Sequence, residues 1–150
     1  MQRKVSQQIS KSGWCSIHVF DLAVHYTYSI GLMKARNQPD LVILGMDAEN
    51  AHGLMALAHD AYANGSRFAL KERSSLLTPA PFQVGLTRVP DSAKEELFGQ
   101  GVVYYGGLDA FDIWQVLLPD RNNLLPWDEG VDPNFRDGQD IKRQLGGKRA

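Results

Sequence analysis

Several features that usually point to a compartment are scarce in this sequence of 150 residues. Cys15 is the only cysteine, so no internal disulfide can form, and folding does not depend on an oxidising compartment. The longest uninterrupted apolar run is about five residues, whereas a transmembrane helix needs about 20. The N-terminal residues are polar and do not contain the apolar core of a secretory signal. We therefore expect a cytoplasmic protein.

An excess of one charge is also missing. Lys and Arg number 16 and Asp and Glu number 17, which gives a formal net charge of −1. Proteins that bind nucleic acids or membrane surfaces normally carry a clear excess of basic residues. The balance of charges therefore predicts neither a nucleic acid nor a membrane as a partner.

Sequence motifs for metal binding are absent. The four histidines, His18, His25, His52 and His59, show none of the HxxxH or HExxH spacings, and a CxxC pair is impossible. A two-residue turn at 21–22 would place His18 opposite His25 in a hairpin, whereas a three-residue loop would not. We interpret the histidines as residues that fill one sheet face and border the core, and we expect no metal and no cofactor.

The composition is otherwise that of an ordinary globular domain. Apolar residues make up 43% of the chain and charged residues 22%, and a chain of this length can bury a sizeable core without disulfides or metal. No repeat or low-complexity linker divides the sequence. We predict a single domain over residues 1–145, followed by a mobile polar tail over residues 146–150.

Hydrophobic periodicity predicts the elements of this domain. The clearest is a helix over 48–64, which Asp47 caps and Gly65 ends, with a continuous stripe of apolar residues at helical spacing. A helix is also predicted over 3–12 and a short one over 90–98. Runs rich in β-branched and aromatic residues predict strands at 14–20, 24–32, 40–46, 82–89 and 111–118.

The order of these elements favours an α+β fold. Strands follow one another as hairpin-like neighbours instead of alternating with helices. The run 40–46 is almost entirely apolar, which is typical of a buried central strand. The segment 102–105 fits either a helix or a strand. We predict a mainly antiparallel sheet of about five or six strands with about two or three helices packed on it.

Short segments spread over most of the chain resemble the signature of one bacterial and phage family. They are Gly13-Trp14, Tyr28-Ser29-Ile30-Gly31-Leu32, Pro39-Asp40-Leu41 with Gly45, His52, Gly65 with Phe68, Gln115, Pro119-Asp120, Pro126-Trp127, Asp132-Pro133 and Gln144-Leu145. Across residues 13–145 the chain resembles the domain of unknown function family numbered 4262. It departs from the family's pattern at 21–23 and at 90–101. The resemblance implies no activity, and kinship of fold alone would not establish one.

Polar and aromatic side chains in and near these segments form the predicted ligand-binding set. Its members are Tyr26, Tyr28, His52, Gln115, Asp120 and Trp127. A pocket with aromatic walls and a few polar groups is how small-molecule sites are generally built. The structural alternative is that Gln115 and Asp120 hold the loop 121–127 in place. Asp120 would then form an Asx turn, and Trp127 would cover the core.

We therefore expect a binding module for a small molecule or a partner protein. The alternative is a hydrolase that acts on a small substrate of nucleotide-like kind, through His52 with Tyr26 or Tyr28. An enzyme would bring titratable groups with shifted pKa values into one cleft, whereas a binding module would show an apolar pocket without them. A purely structural interaction subunit is the third hypothesis, and an exposed apolar patch on the sheet would mark it.

Overall fold

The computed structural model describes residues 3–20, 24–78 and 82–144. Its strands are β1 (Cys15–Val19), β2 (Tyr26–Ile30), β3 (Asp40–Leu44), β4 (Arg73–Ser74), β5 (Val84–Arg88) and β6 (Ile113–Leu117). Its helices are α1 (Arg3–Ser12), α2 (Leu32–Arg36), α3 (Ala48–Ala63), α4 (Asp91–Leu97), α5 (Gly99–Tyr105) and α6 (Pro133–Gly138), with a 3₁₀ turn at Leu108–Ala110. The predicted domain end at 145 and the polar tail at 146–150 lie outside the described residues.

The six strands form one sheet in the order β1-β2-β3-β6-β5-β4. The central pair, β3 and β6, is parallel, and every other neighbouring pair is antiparallel. The predicted α+β fold with a mainly antiparallel sheet is therefore confirmed. The helices are more numerous than predicted, because α2 and α6 are too short to show a periodic apolar stripe in the sequence.

Side chains of the sheet alternate between two cores, as the pleat of a strand requires. In β3, Leu41 and Ile43 pack on the side that α3 covers. Val42 and Leu44 pack on the other side, beneath α4 and α5. All β3 residues are buried, so the prediction of a buried central strand is confirmed. Because both faces of the sheet are covered, a cavity has most room to open where strands end.

An N-terminal cap and a continuous stripe of apolar residues stabilise helix α3. The Asp47 carboxylate accepts a hydrogen bond from the Asn50 N–H at 2.7 Å, which satisfies a donor of the first turn. The buried stripe consists of Ala51, Met55, Ala58 and Tyr62. Gly65 ends the helical segment with a φ of 89°. None of the helices in the described ranges is long and apolar enough to cross a membrane.

The chain turns sharply between β2 and α2 at Gly31. The strand predicted over 24–32 ends at Ile30, because Gly31 has a φ of 105°, a left-handed conformation that favours glycine. A Cβ atom at this position would lie 2.5 Å from the Gly13 carbonyl oxygen. The close approach of the two backbone segments therefore requires glycine and starts α2 directly after the strand.

The pairing of β1 with β2 sets the positions of two histidines. His18 pairs with Thr27, so the register differs from the one that a two-residue turn would give, and His18 is not directly opposite His25. The turn predicted at 21–22 lies outside the described residues. The two imidazole rings still meet, because His25 immediately precedes β2 and its Nδ1 lies 3.0 Å from His18 Nε2.

Candidate functional site

A crevice opens where the two parallel strands end. Asp40 pairs with Ile113, so β3 and β6 end level with each other. After β3 the chain enters α3 on one side of the sheet. After β6 it passes through a loop and α6 to reach the other side, where Gln139 contacts Gln115. Connections that leave parallel strands toward opposite faces create a crevice outside the carboxyl ends of those strands.

This crevice contains a cavity of about 400 Å³, which we call the strand-end pocket. Its apolar walls are Val24, Leu44, Leu118 and Phe135. Its remaining lining residues are Gly45, Gly138, His25, Asn134 and Gln139. Mainly apolar walls with a few convergent polar groups are the usual construction of a small-molecule site.

Gln139 builds the wall that α6 contributes to the pocket. Its side-chain oxygen accepts a hydrogen bond from the Leu118 N–H at 2.6 Å. Its side-chain nitrogen donates to the carbonyls of Leu118 and Phe135 at 2.9 and 3.0 Å. The Gln139 carbonyl in turn accepts from Gln115 Nε2 at 2.5 Å. Because Gln139 is buried, these bonds form in a medium of low dielectric constant and hold the pocket walls firmly.

His25 is the titratable group of the strand-end pocket. Its Nδ1 contacts His18 Nε2, and His18 Nδ1 lies 2.5 Å from Thr27 Oγ1. Desolvation, and next the neighbouring His25, lower the pKa of His18, so the environment favours a neutral His18 imidazole. Within the described part of the chain, His25 Nε2 has no hydrogen-bond partner, which leaves this atom available to a ligand.

The contact between His18 and His25 raises the question of a metal site. Residues 3–20, 24–78 and 82–144 contain no group of three or more His, Cys, Asp or Glu side chains placed to hold a metal ion. Zinc in structural sites takes four protein ligands and in catalytic sites three. Among the described residues, the His18 and His25 imidazoles supply two ligands at this position, fewer than either kind of zinc site uses.

Two of the six predicted site residues come together in a second groove. Gln115 and Trp127 both line it, and Gln139 contributes to this groove as well as to the strand-end pocket. We call it the Trp127 groove, and we define it by Lys71, Arg88, Gln115, Trp127, Arg136 and Lys142. The ligand-binding role predicted for Gln115 and Trp127 stays a prediction.

Tyr26 and Tyr28 lie in the core beneath α4 and α5. The Tyr26 hydroxyl donates to the Leu97 carbonyl at 2.7 Å, and the Tyr28 hydroxyl meets the backbone N–H groups of Gln100 and Gly101. Both side chains are buried, and desolvation raises the pKa of Tyr28 to about 12. Each hydroxyl therefore ties β2 to a covering helix, and neither ring lines the strand-end pocket or the Trp127 groove.

Asp120 organises the loop that follows β6. Its Oδ1 accepts hydrogen bonds from the N–H groups of Asn122 and Leu124 at 2.9 and 3.0 Å, and its Oδ2 accepts from Asp132 at 2.9 Å. These bonds, with that from Asp132 first, lower the pKa of Asp120. The Asx turn of the structural alternative is present. Gln115, by contrast, holds the segment after α6 and not this loop.

His52 lies on the opposite side of the sheet from both tyrosines. Its Nδ1 is 2.6 Å from Ser16 Oγ, and its ring stacks on Trp14 with 4.9 Å between centroids. Trp14 belongs to the core beneath α3, whereas Tyr26 and Tyr28 belong to the other core. No carboxylate among the residues that the structure describes bonds to His52, so the third member of a catalytic triad is missing from this pair.

A buried carboxylate at the amino end of β3 was missed as a candidate from the sequence. Asp40 accepts hydrogen bonds from Ser29 Oγ at 2.6 Å, from the Leu32 N–H at 3.0 Å and from the Tyr105 hydroxyl. Burial raises the pKa of Asp40 to about 6, and these hydrogen bonds offset part of that effect. The Tyr105 hydroxyl also accepts from the Gly31 N–H at 3.1 Å. A charged residue that opens an otherwise apolar strand was the signal available in the sequence.

Comparison with known proteins adds one assignment. The family model described as Domain of unknown function (DUF4262) matches residues 8–132. The chain belongs to this family. Searches of curated proteins and of solved structures found no significant match. The family resemblance seen in the sequence is thus confirmed. In this DUF4262 domain the pocket wall formed by residues 134–139 follows the matched segment.

Proposed function

We propose that this DUF4262 domain is a binding module that takes a small, mainly apolar molecule into the strand-end pocket. The observation that carries the proposal is the position of the pocket, outside the carboxyl ends of the parallel strands β3 and β6. Ligands bind preferentially where the connections from adjacent parallel strands diverge. Its volume of about 400 Å³ also lies in the range typical of small-molecule sites.

The lining suggests how such a molecule is held. Leu44, Leu118 and Phe135 offer apolar surface to the body of the ligand, and burial of apolar area contributes about 25 cal/mol per Å². His25 Nε2 offers one directional contact, which orients the ligand. Because Gln139 holds Leu118 and Phe135 through hydrogen bonds, the walls are formed before the ligand arrives and binding costs little ordering.

A small molecule is better supported than a partner protein or a structural role. The large exposed apolar side chains include Leu57 and Val103, which lie on α3 and α5 at opposite sides of the sheet. A protein-docking surface needs such residues to be contiguous on one face, so Leu57 and Val103 do not belong to the same docking surface. The apolar crevice at the strand ends is instead concave, which suits a small ligand.

Hydrolysis through His52 with Tyr26 or Tyr28 has less support. The sheet separates His52 from both tyrosines. The two hydroxyls bond to backbone groups of the covering helices, and His52 contacts Ser16. A catalytic site would bring such groups within hydrogen-bond reach of one another and of a substrate.

We also propose that the protein acts in the cytoplasm of a bacterium or of a phage-infected cell. The resemblance noted above is to a family of bacteria and phages. Cys15 is buried, and desolvation followed by the charge of Asp40 raises the pKa of this thiol to about 11. The thiol therefore stays protonated and unreactive. As the single cysteine of the sequence it forms no internal disulfide, so folding does not need an oxidising compartment.

The decisive experiment fills the pocket. Gly138 lines it, and a Cβ atom at Gly138 would have no neighbour within 4 Å, so the backbone position accepts a side chain and Gly138→Leu is chosen to place an isobutyl group at the pocket. Gly53, in α3, has equally open space, so Gly53→Leu is the matched control. A library of neutral, fragment-sized aromatic and aliphatic compounds is screened against the parent and both variants by thermal shift and by ¹H–¹⁵N NMR.

We expect binding compounds to raise the melting temperature of the parent and of Gly53→Leu. The same compounds should shift the amide signals of Gly45 and Leu118, which lie at the pocket. Gly138→Leu should keep its fold and lose both responses. Equal binding by Gly138→Leu, or a screen without a single compound that shifts these signals, would overturn the proposal.

A further inference from the structure

The Trp127 groove has a charge opposite to that of the molecule. Four cationic side chains line it, from Lys71, Arg88, Arg136 and Lys142, against the carboxylate of Asp140. The chain as a whole has a formal charge of −1, so this local excess of positive charge is not a consequence of composition. A cleft lined mainly by one sign of charge concentrates ligands of the opposite sign. The groove encloses about 470 Å³, enough for a small organic anion.

Trp127 forms a rigid aromatic wall of this groove. Its ring lies directly on the sheet at Gly85, where an added Cβ atom would collide with it. The next residue, Asp128, accepts from the Leu125 N–H at 2.7 Å and pairs with Arg73. These contacts hold the ring in place while 36% of the residue remains exposed. A fixed, partly exposed indole is a stacking surface for a planar ligand.

Lys71 is placed over that ring at a conformational cost. Its backbone has a φ of 64°, in the left-handed region that residues other than glycine seldom occupy. Its N–H donates to the Leu86 carbonyl at 2.8 Å, which anchors the segment to β5. Its ammonium lies 5.5 Å from the centre of the Trp127 ring. Sparsely populated backbone conformations of this kind cluster at binding sites.

Of the four cationic side chains in the groove, two form ion pairs with carboxylates and two do not. Arg88 forms an ion pair with Asp112 at 2.8 Å, and Arg136 forms one with Asp137 at 3.0 Å. Within residues 3–20, 24–78 and 82–144, Lys71 and Lys142 have no ion pair with a carboxylate. An incoming anion can therefore contact both ammonium groups without breaking an existing ion pair.

We propose that the Trp127 groove binds a small anion that carries a planar ring. On binding, the Lys71 ammonium moves from its place over the Trp127 ring to the anionic group, which it contacts together with the Lys142 ammonium. The ligand ring then stacks on the surface of Trp127 that Lys71 has left. Gln115 forms the floor beside the two ammonium groups. This chemistry is shared by a nucleoside monophosphate and by an aromatic carboxylate, and the experiment distinguishes the two. The site is separate from the strand-end pocket, which takes an apolar ligand, although Gln139 lines both.

The test compares matched charged and neutral probes. Adenosine monophosphate is compared with adenosine, and 2-naphthoate with 2-naphthalenemethanol, while inorganic phosphate reports anion binding without a ring. Affinities come from ¹H–¹⁵N NMR titration, which follows the Trp127 indole N–H and the Gly85 amide. We expect at least one charged probe to bind roughly tenfold more tightly than its neutral partner and than phosphate, and added salt to weaken its binding.

Variants assign this binding to the groove. Lys71→Gln and Lys142→Gln should each weaken it by about fivefold, and Trp127→Leu by about tenfold. Lys34 supplies the matched control, since its ammonium also lies 5.5 Å from an aromatic ring, that of Tyr104, outside the groove. Lys34→Gln should therefore bind like the parent. The lysine variants change exposed residues and keep the inference testable if Trp127→Leu fails to fold.

Three results would overturn this inference. In the first, neither charged probe shifts the Trp127 and Gly85 signals. In the second, the shifts survive in both lysine variants. In the third, inorganic phosphate binds as tightly as either charged probe, which would show a site for anions without ring recognition. Because Gly138→Leu blocks the strand-end pocket, its binding of the charged probe shows whether this inference holds when the proposed function fails.

Discussion

The two ends of the parallel pair β3 and β6 are built in opposite ways. At the amino end, Asp40 is buried and accepts hydrogen bonds from Ser29, Leu32 and Tyr105, all supplied by the chain. At the carboxyl end, the chain leaves an apolar cavity of about 400 Å³ with His25 at its lining. One end is complete without a ligand, whereas the other presents surface that a ligand could cover.

This difference shows why a shifted pKa is not enough to locate a site. Asp40 has a pKa raised to about 6, as functional carboxylates often do, but structural networks shift pKa values as well. All its bonds serve to join β2, α2 and α5 around the start of β3. The strand-end pocket, by contrast, has unfilled space of about 400 Å³. The proposed binding function therefore rests on unfilled space and not on a shifted pKa.

We expect the largest loss of stability from a substitution at the amino end of β3 and β6, where Asp40 is buried. Asp40→Ala leaves the Ser29 and Tyr105 hydroxyls and the Leu32 N–H without their acceptor, and we expect the free energy of unfolding at pH 7 to fall by about 3–5 kcal/mol. His25→Ala, at the open end, should cost less than about 1 kcal/mol. Urea denaturation of both variants measures the difference. Equal losses would break the comparison between the two ends.

The second expected effect is that the free energy of unfolding changes with pH because Asp40 titrates. Its folded-state pKa of about 6 lies above the ordinary value of 3.8, so the folded protein binds this proton more tightly than the unfolded chain does. Its contribution to stability is therefore present below about pH 4 and is lost as pH rises through about 6, a change of about 2–3 kcal/mol.

Asp40→Asn removes this titration and is the reference for it. The free energy of unfolding of the parent, minus that of Asp40→Asn, should decrease between pH 4 and pH 7. Urea titrations at several pH values measure this difference, in which the titrations of all other groups largely cancel. A difference that stays flat, or that increases with pH, would show that Asp40 is ionised in the folded protein across this range.

We expect a smaller loss of stability when Gln115, which holds the wall of the strand-end pocket, is replaced. Gln115→Ala removes the donor to the Gln139 carbonyl, and we expect a loss of about 1–3 kcal/mol in the free energy of unfolding. The exposed Gln7 in α1 is the control, since Gln7→Ala should change stability by less than about 0.5 kcal/mol. Losses that match between the two variants would mean that Gln115 does not hold this wall.

The smallest expected effect is on the melting temperature when metal ions are removed from the surroundings of His18 and His25, at the carboxyl end of β3 and β6. If the His18 and His25 imidazoles contact each other directly and hold no metal ion, dialysis against a strong chelator should leave the melting temperature unchanged. Differential scanning calorimetry before and after dialysis, with metal analysis of the sample, provides the measurement. Stoichiometric zinc that is lost together with stability would instead show that an ion occupies the open end.

Much of the fold could be predicted, because burying one face of a helix or strand makes apolar residues recur at regular spacing along the sequence. The helix α3 shows its stripe, its Asp47 cap and its Gly65 end in the sequence, and the apolar run of β3 marks a strand buried on both faces. The helix α2 could not be predicted in this way. It begins where Gly31 adopts a positive φ against the Gly13 carbonyl, a contact between segments that local periodicity does not report.

The candidate site was less accessible to the same reasoning. Gln115 and Trp127 stood out as polar or aromatic residues within signature segments, and they do share the Trp127 groove. His52 stood out equally and lies across the sheet from Tyr28. Nothing local marked Gly138 or Phe135 as pocket walls. Their role depends on where α6 returns to the sheet.

The amino-acid pattern was therefore sufficient for the α+β class, the central strand β3 and the longest helix, because each depends on contacts whose spacing repeats along the chain. The tertiary structure alone established that β3 pairs in parallel with β6 and that their connections diverge. It also established where the strand-end pocket and the Trp127 groove form. These features depend on residues such as Asp40 and Ile113, which are paired in space and far apart in sequence. A cavity is a property of how such segments meet, and no single segment carries it.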